Sequence, residues 1–290
     1  MKNTIFEGCG TAIVTPFRES DQAVDYNALA KLIEFQLSNG VDSIVICGTT
    51  GEASTMPDAE HLAVIKFAVD AINKRVPVIA GTGSNDTPHA VELALKAQYI
   101  GADALLVVTP YYNKTSQKGL VLHFNKIADA VSIPIILYNV PTRTGMTIEP
   151  ETYAELSKHE KIVAAKEASG NFTAIATAMN LCGENLEFYS GNDDNIVPMM
   201  ALGAKGVISV LSNIKPKETS DLCRFMLAGN YAAAAKLQLE YTPLINALFS
   251  DVSPIPVKEA LNMMGFDAGV CRMPLCAMDD VKREKLRLLL

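Results

Sequence analysis

Short apolar runs alternate with longer amphipathic stretches from the start of the chain to about residue 213. Each run contains four or five mostly apolar residues, a length typical of a strand that is buried on both faces. The runs predict eight strands, over residues 11–14, 43–47, 77–80, 104–108, 134–138, 162–166, 186–190 and 206–210. Strands of this kind, separated by helices, indicate a parallel sheet that is covered by helices.

The segments between the strands show helical spacing. In residues 26–37, the apolar positions 29, 32, 33 and 37 fall on one face. Similar patterns predict helices over 59–72 and 90–99, and the expected N-caps are Asp25, Asp58 and Asp86. Eight such units favour an α/β fold of the (β/α)8 TIM-barrel type over an open, doubly wound sheet, since neither a Gly-x-Gly-x-x-Gly motif nor a Walker motif is present.

The pattern changes to helices alone after about residue 213. Three or four helices are expected there, within residues 216–227, 231–249, 255–264 and 280–289, with a kink at Pro243. No low-complexity linker separates these helices from the strands. We therefore expect a barrel over residues 1–213 and a C-terminal helical region over residues 214–290 that packs on it.

Composition and charge narrow the class of protein. Hydrophobic residues make up 49% and charged residues 20%, as in ordinary globular enzymes. The 25 basic and 32 acidic residues give a net charge of −7, which argues against nucleic acid or an anionic membrane as the main partner. No run reaches the roughly 18–20 apolar residues of a membrane helix. Residues 1–10 lack the features of a signal peptide, so we expect a cytoplasmic protein.

The cysteines and histidines show no metal-ligand pattern. The six cysteines are scattered without a Cys-x-x-Cys pair, and the four histidines have no ligand spacing. We therefore expect reduced thiols and no metal site.

A lysine ends one of the apolar runs, since Lys166 follows residues 162–165. Burial of an ammonium group without a partner is costly, and it lowers the pKa of a lysine from about 10.4 by up to about 3–5. A neutral amine on a rigid strand is the group that a Schiff-base enzyme uses to attack a carbonyl. Alternatively, Lys166 extends from the strand end and pairs with Glu167 or another acid, and both interpretations stay open at this point.

Polar groups also follow other predicted strands, at the barrel end where active sites lie. The segment 48–52, Gly-Thr-Thr-Gly-Glu, can hold a small carboxylate through hydroxyls and backbone N–H groups, or it is a turn capped by threonine hydroxyls. Tyr111 and Tyr112 follow the fourth strand, and adjacent tyrosines in a loop are typical of packing or interface positions.

The fifth strand ends in Tyr138, which can transfer a proton beside a buried lysine. Arg143, five residues later, can bind a carboxylate through two parallel hydrogen bonds. Together with Lys166 and the threonines, these groups predict a lysine-dependent, aldol-type reaction on a small keto acid. Nothing in this set indicates a cofactor.

Several motifs, taken in order, resemble the N-acetylneuraminate lyase superfamily and, within it, the dihydrodipicolinate synthase family. The resemblance covers nearly the whole chain from about Gly8, and its motifs begin at Gly48, Thr109, Tyr138, Lys166 and Ser190. It implies condensation of pyruvate with L-aspartate 4-semialdehyde, the branch-point step towards diaminopimelate and lysine.

The resemblance also implies residue roles. Lys166 would form a covalent imine with pyruvate, with no other cofactor, and Tyr138 would donate and accept protons. The expected relay partners of Tyr138 are Thr49 and Tyr112, the latter supplied by a neighbouring subunit of a homotetramer that is a dimer of dimers. The expected binding residues are Thr50, Ile208 and Gly191 for pyruvate and Arg143 for the carboxylate of the semialdehyde.

Some members of the family are inhibited by lysine, and the corresponding positions here are Ser54, Asp58, His61, Asn85, His89 and Tyr111. Asp58 stands where feedback-sensitive members carry a histidine, and His89 replaces a glutamate that would pair with the ammonium group of lysine. Loss of that charge-assisted contact would cost about 1.5–3 kcal/mol. We therefore expect weak or absent inhibition by lysine.

The nearest alternative is a related class I pyruvate lyase, an N-acetylneuraminate or keto-deoxy sugar acid aldolase. Such enzymes share the lysine and the tyrosine, so those residues do not discriminate. Arg143 and the Thr49-Thr50 pair favour the synthase, because sialic acid lyases generally lack that arginine. A barrel that has lost its catalytic activity would lack Lys166, Tyr138 or Arg143, and all three are present.

Overall fold

A computed structural model describes residues 2–290. Eight parallel strands close into a barrel in chain order, which confirms the predicted (β/α)8 TIM barrel. The strands are β1 Gly8–Ala12, β2 Ser43–Ile46, β3 Val78–Gly81, β4 Ala104–Val108, β5 Ile135–Asn139, β6 Ile162–Glu167, β7 Glu187–Ser190 and β8 Gly206–Ser209.

The first strand begins three residues earlier than the predicted residues 11–14. Its glycines look like chain breakers in the sequence, but a Cβ atom on Gly8 would lie 2.2 Å from Oδ2 of Asp42 and one on Gly10 would lie 2.5 Å from Oγ of Ser43. The neighbouring strand β8 has the same requirement. A Cβ atom on Gly206 would lie 1.8 Å from the carbonyl oxygen of Gly8, which is its direct partner in the neighbouring strand. The glycines therefore close the barrel rather than end the strand.

Helices connect the strands and cover the barrel. They are α1 Tyr26–Ser38, α2 Asp58–Ile72, α3 Thr87–Ile100, α4 Gln117–Ala130, α5 Pro141–Thr144, α6 Pro150–Leu156, α7 Phe172–Cys182, α8 Ile196–Ala201, α9 Pro216–Leu227, α10 Tyr231–Leu248, α11 Ile255–Met263 and α12 Asp280–Arg287.

The predicted helix caps have different outcomes. Asp25 is confirmed, since its carboxylate accepts the N–H of Ala28 at 3.0 Å. Asp86 is the N-cap of α3 without a side-chain hydrogen bond. The prediction for Asp58 is wrong, because Pro57 is the N-cap and Asp58 is already helical.

Two apolar layers fill the molecule, one between the strands and the surrounding helices and a smaller one built around the barrel interior. In the smaller cluster, Phe6 stacks on Tyr189 with ring centroids 4.3 Å apart. Because both faces of the strands are buried, the strands read as continuous apolar runs in the sequence. The polar side chains that follow the strands collect at the carboxyl rim of the barrel.

The helices after residue 213 contact the barrel directly. Gln238 on α10 donates a hydrogen bond to the carbonyl oxygen of Asp193 at 2.9 Å, and α10 continues through Pro243 without interruption. Lys258 on α11 forms an ion pair with Glu52 in the β2–α2 loop. Within residues 2–290, no helix is long and apolar enough to cross a membrane.

Candidate active site

Lys166 is the penultimate residue of β6, and only 5% of it is exposed. No carboxylate lies within 4.0 Å of its amine in residues 2–290. Burial lowers the pKa of Lys166 from 10.5 to about 8, the charge of Asp193 opposes this change, and the charge of Arg143 adds to it. With this pKa about a tenth of the amine is neutral at pH 7, compared with under about a thousandth at the ordinary value, and the neutral form is the one that attacks a carbonyl.

Glu167 does not pair with Lys166, so that alternative is wrong. Its carboxylate accepts hydrogen bonds from the phenol of Tyr153 at 2.7 Å, from the amide of Asn139 at 2.9 Å and from the backbone N–H of Ser169 at 2.7 Å. Successive residues of a strand point to opposite faces. Glu167 therefore anchors the strand end from outside the barrel, a role that strand alternation alone would have indicated.

Tyr138 on β5 is the direct strand partner of Lys166. The lysine amine lies 4.4 Å from the centroid of the tyrosine ring. Burial raises the pKa of Tyr138, while the charge of Arg143 and the nearby hydroxyl of Thr49 oppose that rise. The phenol is thus protonated when the amine is partly neutral, and it can donate a proton to a group bound at the lysine.

The loop between β2 and α2 carries Thr49 and Thr50. The first part of this loop, residues 47–52, is a turn that begins and ends in the left-handed region, with φ 53° at Cys47 and 57° at Glu52. The hydroxyl of Thr15 donates to the carbonyl oxygen of Gly51 at 2.8 Å and fixes the middle of the turn. Thr50 is buried, and its N–H and hydroxyl make no hydrogen bond within residues 2–290. These free donors can hold a small anion.

Arg143 lies in the short helix α5, where the sequence Pro141–Thr144 turns sharply after β5. One guanidinium nitrogen donates to the carbonyl oxygen of Ser253 at 3.0 Å. Only part of its donor set is used in that bond, so the remaining N–H groups are available to a carboxylate.

The predicted pocket residues Ile208 and Gly191 belong to or directly follow the last two strands, and Gly191 is half-buried. Ile208 on β8 is fully buried in the barrel interior cluster. A Cβ atom on Gly191 would lie 2.7 Å from the Cβ of Ala168, so a larger residue would push the ends of β6 and β7 apart.

Asp193, three residues after Ser190, at which the last sequence motif begins, is a buried carboxylate of this site. It accepts the hydroxyl of Ser209 at 2.5 Å and the backbone N–H groups of Val210 and Leu211 at 3.0 and 2.9 Å. Its charge is the principal influence that favours the protonated form of Lys166. It can therefore stabilise a cation that forms on the lysine.

A cavity of about 510 Å³ opens at this rim. Thr49, Tyr138 and Arg143 line it, whereas Lys166 is not among the lining residues. The same cavity continues to all of the predicted effector positions, namely Ser54, Asp58, His61, Asn85, His89 and Tyr111. The structure thus brings the two predicted sites into one continuous space.

Polar contacts connect the effector positions. The ring nitrogen Nε2 of His89 lies 3.0 Å from a carboxylate oxygen of Asp58. His61 pairs with the carbonyl oxygen of Gly81 at 2.8 Å, and the amide of Asn85 donates to the carbonyl oxygen of Tyr111 at 3.1 Å. Position 89 has no carboxylate in this chain, but Asp58 places one in the same part of the cavity. That carboxylate is already paired with His89.

Tyr112 differs from the other predicted site residues. Its side chain is 91% exposed, and its backbone is left-handed with φ 71°. It does not line the cavity of its own chain.

Comparison with known proteins extends over nearly the entire chain. The model of the dihydrodipicolinate synthetase family matches residues 5–290. The 4-hydroxy-tetrahydrodipicolinate synthase of Acetivibrio thermocellus is 56% identical over 287 residues, which cover 99% of this chain and 97% of that protein.

Solved structures agree with this match. The dihydrodipicolinate synthase from Aquifex aeolicus superimposes with a TM-score of 0.96 at 45% identity, covering 98% of this chain and 97% of that one. The chloride-inhibited dihydrodipicolinate synthase from Acinetobacter baumannii, complexed with pyruvate, has a TM-score of 0.96 and 43% identity over 99% of this chain and 98% of that one.

A (β/α)8 barrel with a buried amine beside a phenol at its carboxyl rim has the groups that lysine-dependent barrel lyases use. Within that class, the chain belongs to the dihydrodipicolinate synthetase family. The family resemblance drawn from the motifs is confirmed.

Proposed function

We propose that this enzyme condenses pyruvate with L-aspartate 4-semialdehyde to give 4-hydroxy-tetrahydrodipicolinate, in the pathway to diaminopimelate and lysine. The observation that carries the proposal is the buried amine of Lys166, without a carboxylate partner in residues 2–290 and 4.4 Å from the ring centroid of Tyr138. The family membership supports the same reaction.

The reaction begins when the neutral amine of Lys166 attacks the keto carbon of pyruvate. The resulting carbinolamine loses water, and Tyr138 donates the proton that the leaving hydroxyl needs. The protonated imine withdraws electrons, so the pyruvate methyl group loses a proton and becomes an enamine carbon. That carbon attacks the aldehyde, and the aldehyde oxygen takes up a proton. Asp193 stabilises the positive charge on the imine from its buried position.

Cyclisation completes the cycle. The amino group of the former semialdehyde attacks the imine carbon, and Lys166 leaves as the free amine. Tyr138 passes protons between these nitrogen atoms, with Thr49 as its partner in the relay. The enzyme needs no cofactor other than the covalent imine.

The two carboxylates have separate binding groups in this proposal. The free N–H and hydroxyl of Thr50 hold the pyruvate carboxylate, and Ile208 and Gly191 shape the pocket around it. Arg143 binds the carboxylate of the semialdehyde at the mouth of the cavity.

Tyr112 completes the relay from a neighbouring subunit, so the active form is a homo-oligomer, a tetramer made of two dimers. The exposure of Tyr112 in a single chain supports this arrangement. Sedimentation equilibrium tests it directly. Tyr112→Phe should lower turnover while sedimentation shows an unchanged assembly.

The remaining assignments rest on the same argument. Residues 1–213 carry the catalysis, residues 214–290 support the barrel, and the enzyme works in the cytoplasm. The cavity part near Ser54, Asp58, His61, Asn85, His89 and Tyr111 corresponds to the lysine effector site of related enzymes, with weak or absent response here.

The test mixes purified protein with both substrates and follows the product with a coupled reductase. Turnover that disappears in Lys166→Ala supports both the reaction and the nucleophile. A second experiment adds borohydride and pyruvate alone and identifies the labelled residue by mass spectrometry. Labelling at Lys166 without turnover of the semialdehyde would point to a related pyruvate aldolase instead. Absence of labelling in folded protein would reject imine chemistry.

A further inference from the structure

Glu52 is a buried carboxylate in the same loop as Thr49 and Thr50. Its side chain and that of Lys258 are each only 2% exposed, and they form an ion pair with 2.7 Å between Oε1 and Nζ. The second carboxylate oxygen of Glu52 accepts the backbone N–H of Arg272 at 2.9 Å. Both partners belong to the C-terminal region, and the guanidinium of Arg272 also donates to the carbonyl oxygen of Thr55 at 3.2 Å, so this region holds the loop at Glu52 and at Thr55.

The two cations are themselves fixed in place. Nζ of Lys258 lies 4.4 Å, and Cζ of Arg272 lies 4.0 Å, from the centroid of the Phe17 ring. Lys258 also donates to the carbonyl oxygen of Val270 at 2.8 Å. The guanidinium of Arg272 donates to Glu60 on α2 at 2.8 Å. With these contacts, movement of Glu52 away from its position would leave a buried ammonium without its carboxylate partner.

Glu52 is tightly coupled to the loop. It has left-handed backbone with φ 57°, and its N–H donates to the carbonyl oxygen of Thr49 at 3.0 Å. The carbonyl oxygen of Glu52 in turn accepts the N–H of Thr55 at 3.1 Å. A displacement of Glu52 would therefore be transmitted directly to Thr49.

A buried ion pair generally gives little net stability, because desolvation of the two charges offsets their attraction. Such a pair does favour one specific arrangement of the chain, because other arrangements would leave a buried charge unpaired. Glu52 is the last residue of the turn that carries Thr49 and Thr50, so the ion pair favours one conformation of that turn.

We propose that Glu52 and Lys258, with the backbone N–H of Arg272, are positioning groups that hold Thr49 and Thr50 in the geometry needed for pyruvate. The C-terminal region thereby sets the affinity for pyruvate without touching it. This inference rests on the proposed function of the site.

The test compares Lys258→Met with Lys282→Met in steady-state kinetics. Lys282 pairs with Asp251 at 3.0 Å in the same C-terminal region. Neither residue is among the groups described above that bind the β2–α2 loop. We expect Lys258→Met to lower kcat/KM for pyruvate by about 10- to 100-fold, the scale of a displacement of roughly 1 Å. The KM for the semialdehyde should change little, because Arg143 contacts the C-terminal region at the carbonyl oxygen of Ser253 and not at Lys258, and Lys282→Met should resemble the wild type.

A purely structural role would reduce the fraction of folded enzyme and leave both KM values unchanged, and that result would overturn the inference. Lys258→Arg, which keeps the charge, should recover part of the pyruvate affinity. If Lys258→Met does not fold, Glu52→Gln is the second variant, and it should also raise the KM for pyruvate selectively. The borohydride experiment on the wild type keeps the two proposals apart. Without labelling at Lys166 the function itself fails, whereas labelling combined with an unchanged pyruvate KM in the variants rejects only the positioning role.

Discussion

The amine of Lys166 lies 4.4 Å from the ring centroid of Tyr138, its direct partner on the neighbouring strand. An aromatic face favours a cation by about 0.5–2 kcal/mol. The fall of the Lys166 pKa from 10.5 to about 8 corresponds to about 3 kcal/mol in the opposite direction. Burial therefore dominates, and the site holds an amine that is ready to react.

The first prediction concerns the pH dependence of imine formation. The rate at which Lys166 forms an imine with pyruvate should rise with pH and level off above about pH 8, because only the neutral amine attacks. Rapid quenching with borohydride at each pH, followed by mass spectrometry, measures this rate. A midpoint near 10.5, the ordinary value, would contradict the burial argument.

The hydroxyl of Tyr138 can be removed without removing its ring. Tyr138→Phe should keep the position of Lys166 but lower kcat by about 10²- to 10⁴-fold, the usual contribution of a proton-transfer group. Tyr153→Phe is the matched control, since Tyr153 is also a buried tyrosine and donates to Glu167 rather than lining the cavity. We expect the control to lose stability but retain most of its turnover. Equal losses of kcat in both variants would argue against a catalytic phenol.

Lys166→Met should stabilise the fold at neutral pH. A lysine with a lowered folded-state pKa binds its proton less readily in the folded state than in the unfolded state, so stability rises with pH between the two values. The buried charge of Lys166 destabilises the fold by about 3 kcal/mol below about pH 8, and this destabilisation disappears as pH approaches 10.5.

Urea unfolding of wild type and variant at both ends of this range measures the difference. The increase in the free energy of unfolding that Lys166→Met causes should be large at neutral pH and small at alkaline pH. Lys31→Met, at an exposed lysine, should change the free energy of unfolding by less than about 0.5 kcal/mol at either pH. A gain that does not depend on pH would show that packing, and not the buried charge, causes the effect.

Local patterns in the sequence predicted the barrel and most of the proposed site. Lys166 stood out because a charge ends an apolar run, and Tyr138 and Arg143 followed from their places at and just after the end of the preceding strand. The start of β1 did not follow, since a glycine that ends a strand looks the same in the sequence as one that permits close approach of Gly8 and Gly206.

Other features depend on contacts between distant parts of the chain. Glu52 and Lys258 are 206 residues apart, and neither has a neighbour in sequence that reveals the other. The pairing of Asp58 with His89, which are 31 residues apart, is similarly invisible in the sequence. Periodicity identifies which residues are buried, but only the folded chain determines which buried charges meet.

The final prediction concerns inhibition by lysine. The carboxylate of Asp58 lies 3.0 Å from Nε2 of His89, so an incoming ammonium group would have to compete with His89 for it, and position 89 itself offers no carboxylate. We expect little or no inhibition in a turnover assay with added lysine. Strong inhibition at micromolar concentrations would contradict this interpretation.

Exchange of the two charges provides the sharper experiment. The double variant Asp58→His/His89→Glu places a carboxylate at the position where feedback-sensitive relatives are expected to carry it. A charge-assisted contact of about 1.5–3 kcal/mol should lower the inhibitory lysine concentration by about 10- to 100-fold. His89→Gln is the control, because it frees Asp58 without moving the carboxylate to position 89. If this control becomes as sensitive to lysine as the double variant, the pairing of Asp58 with His89 is what limits lysine binding. The position of the carboxylate would then not be the limiting factor.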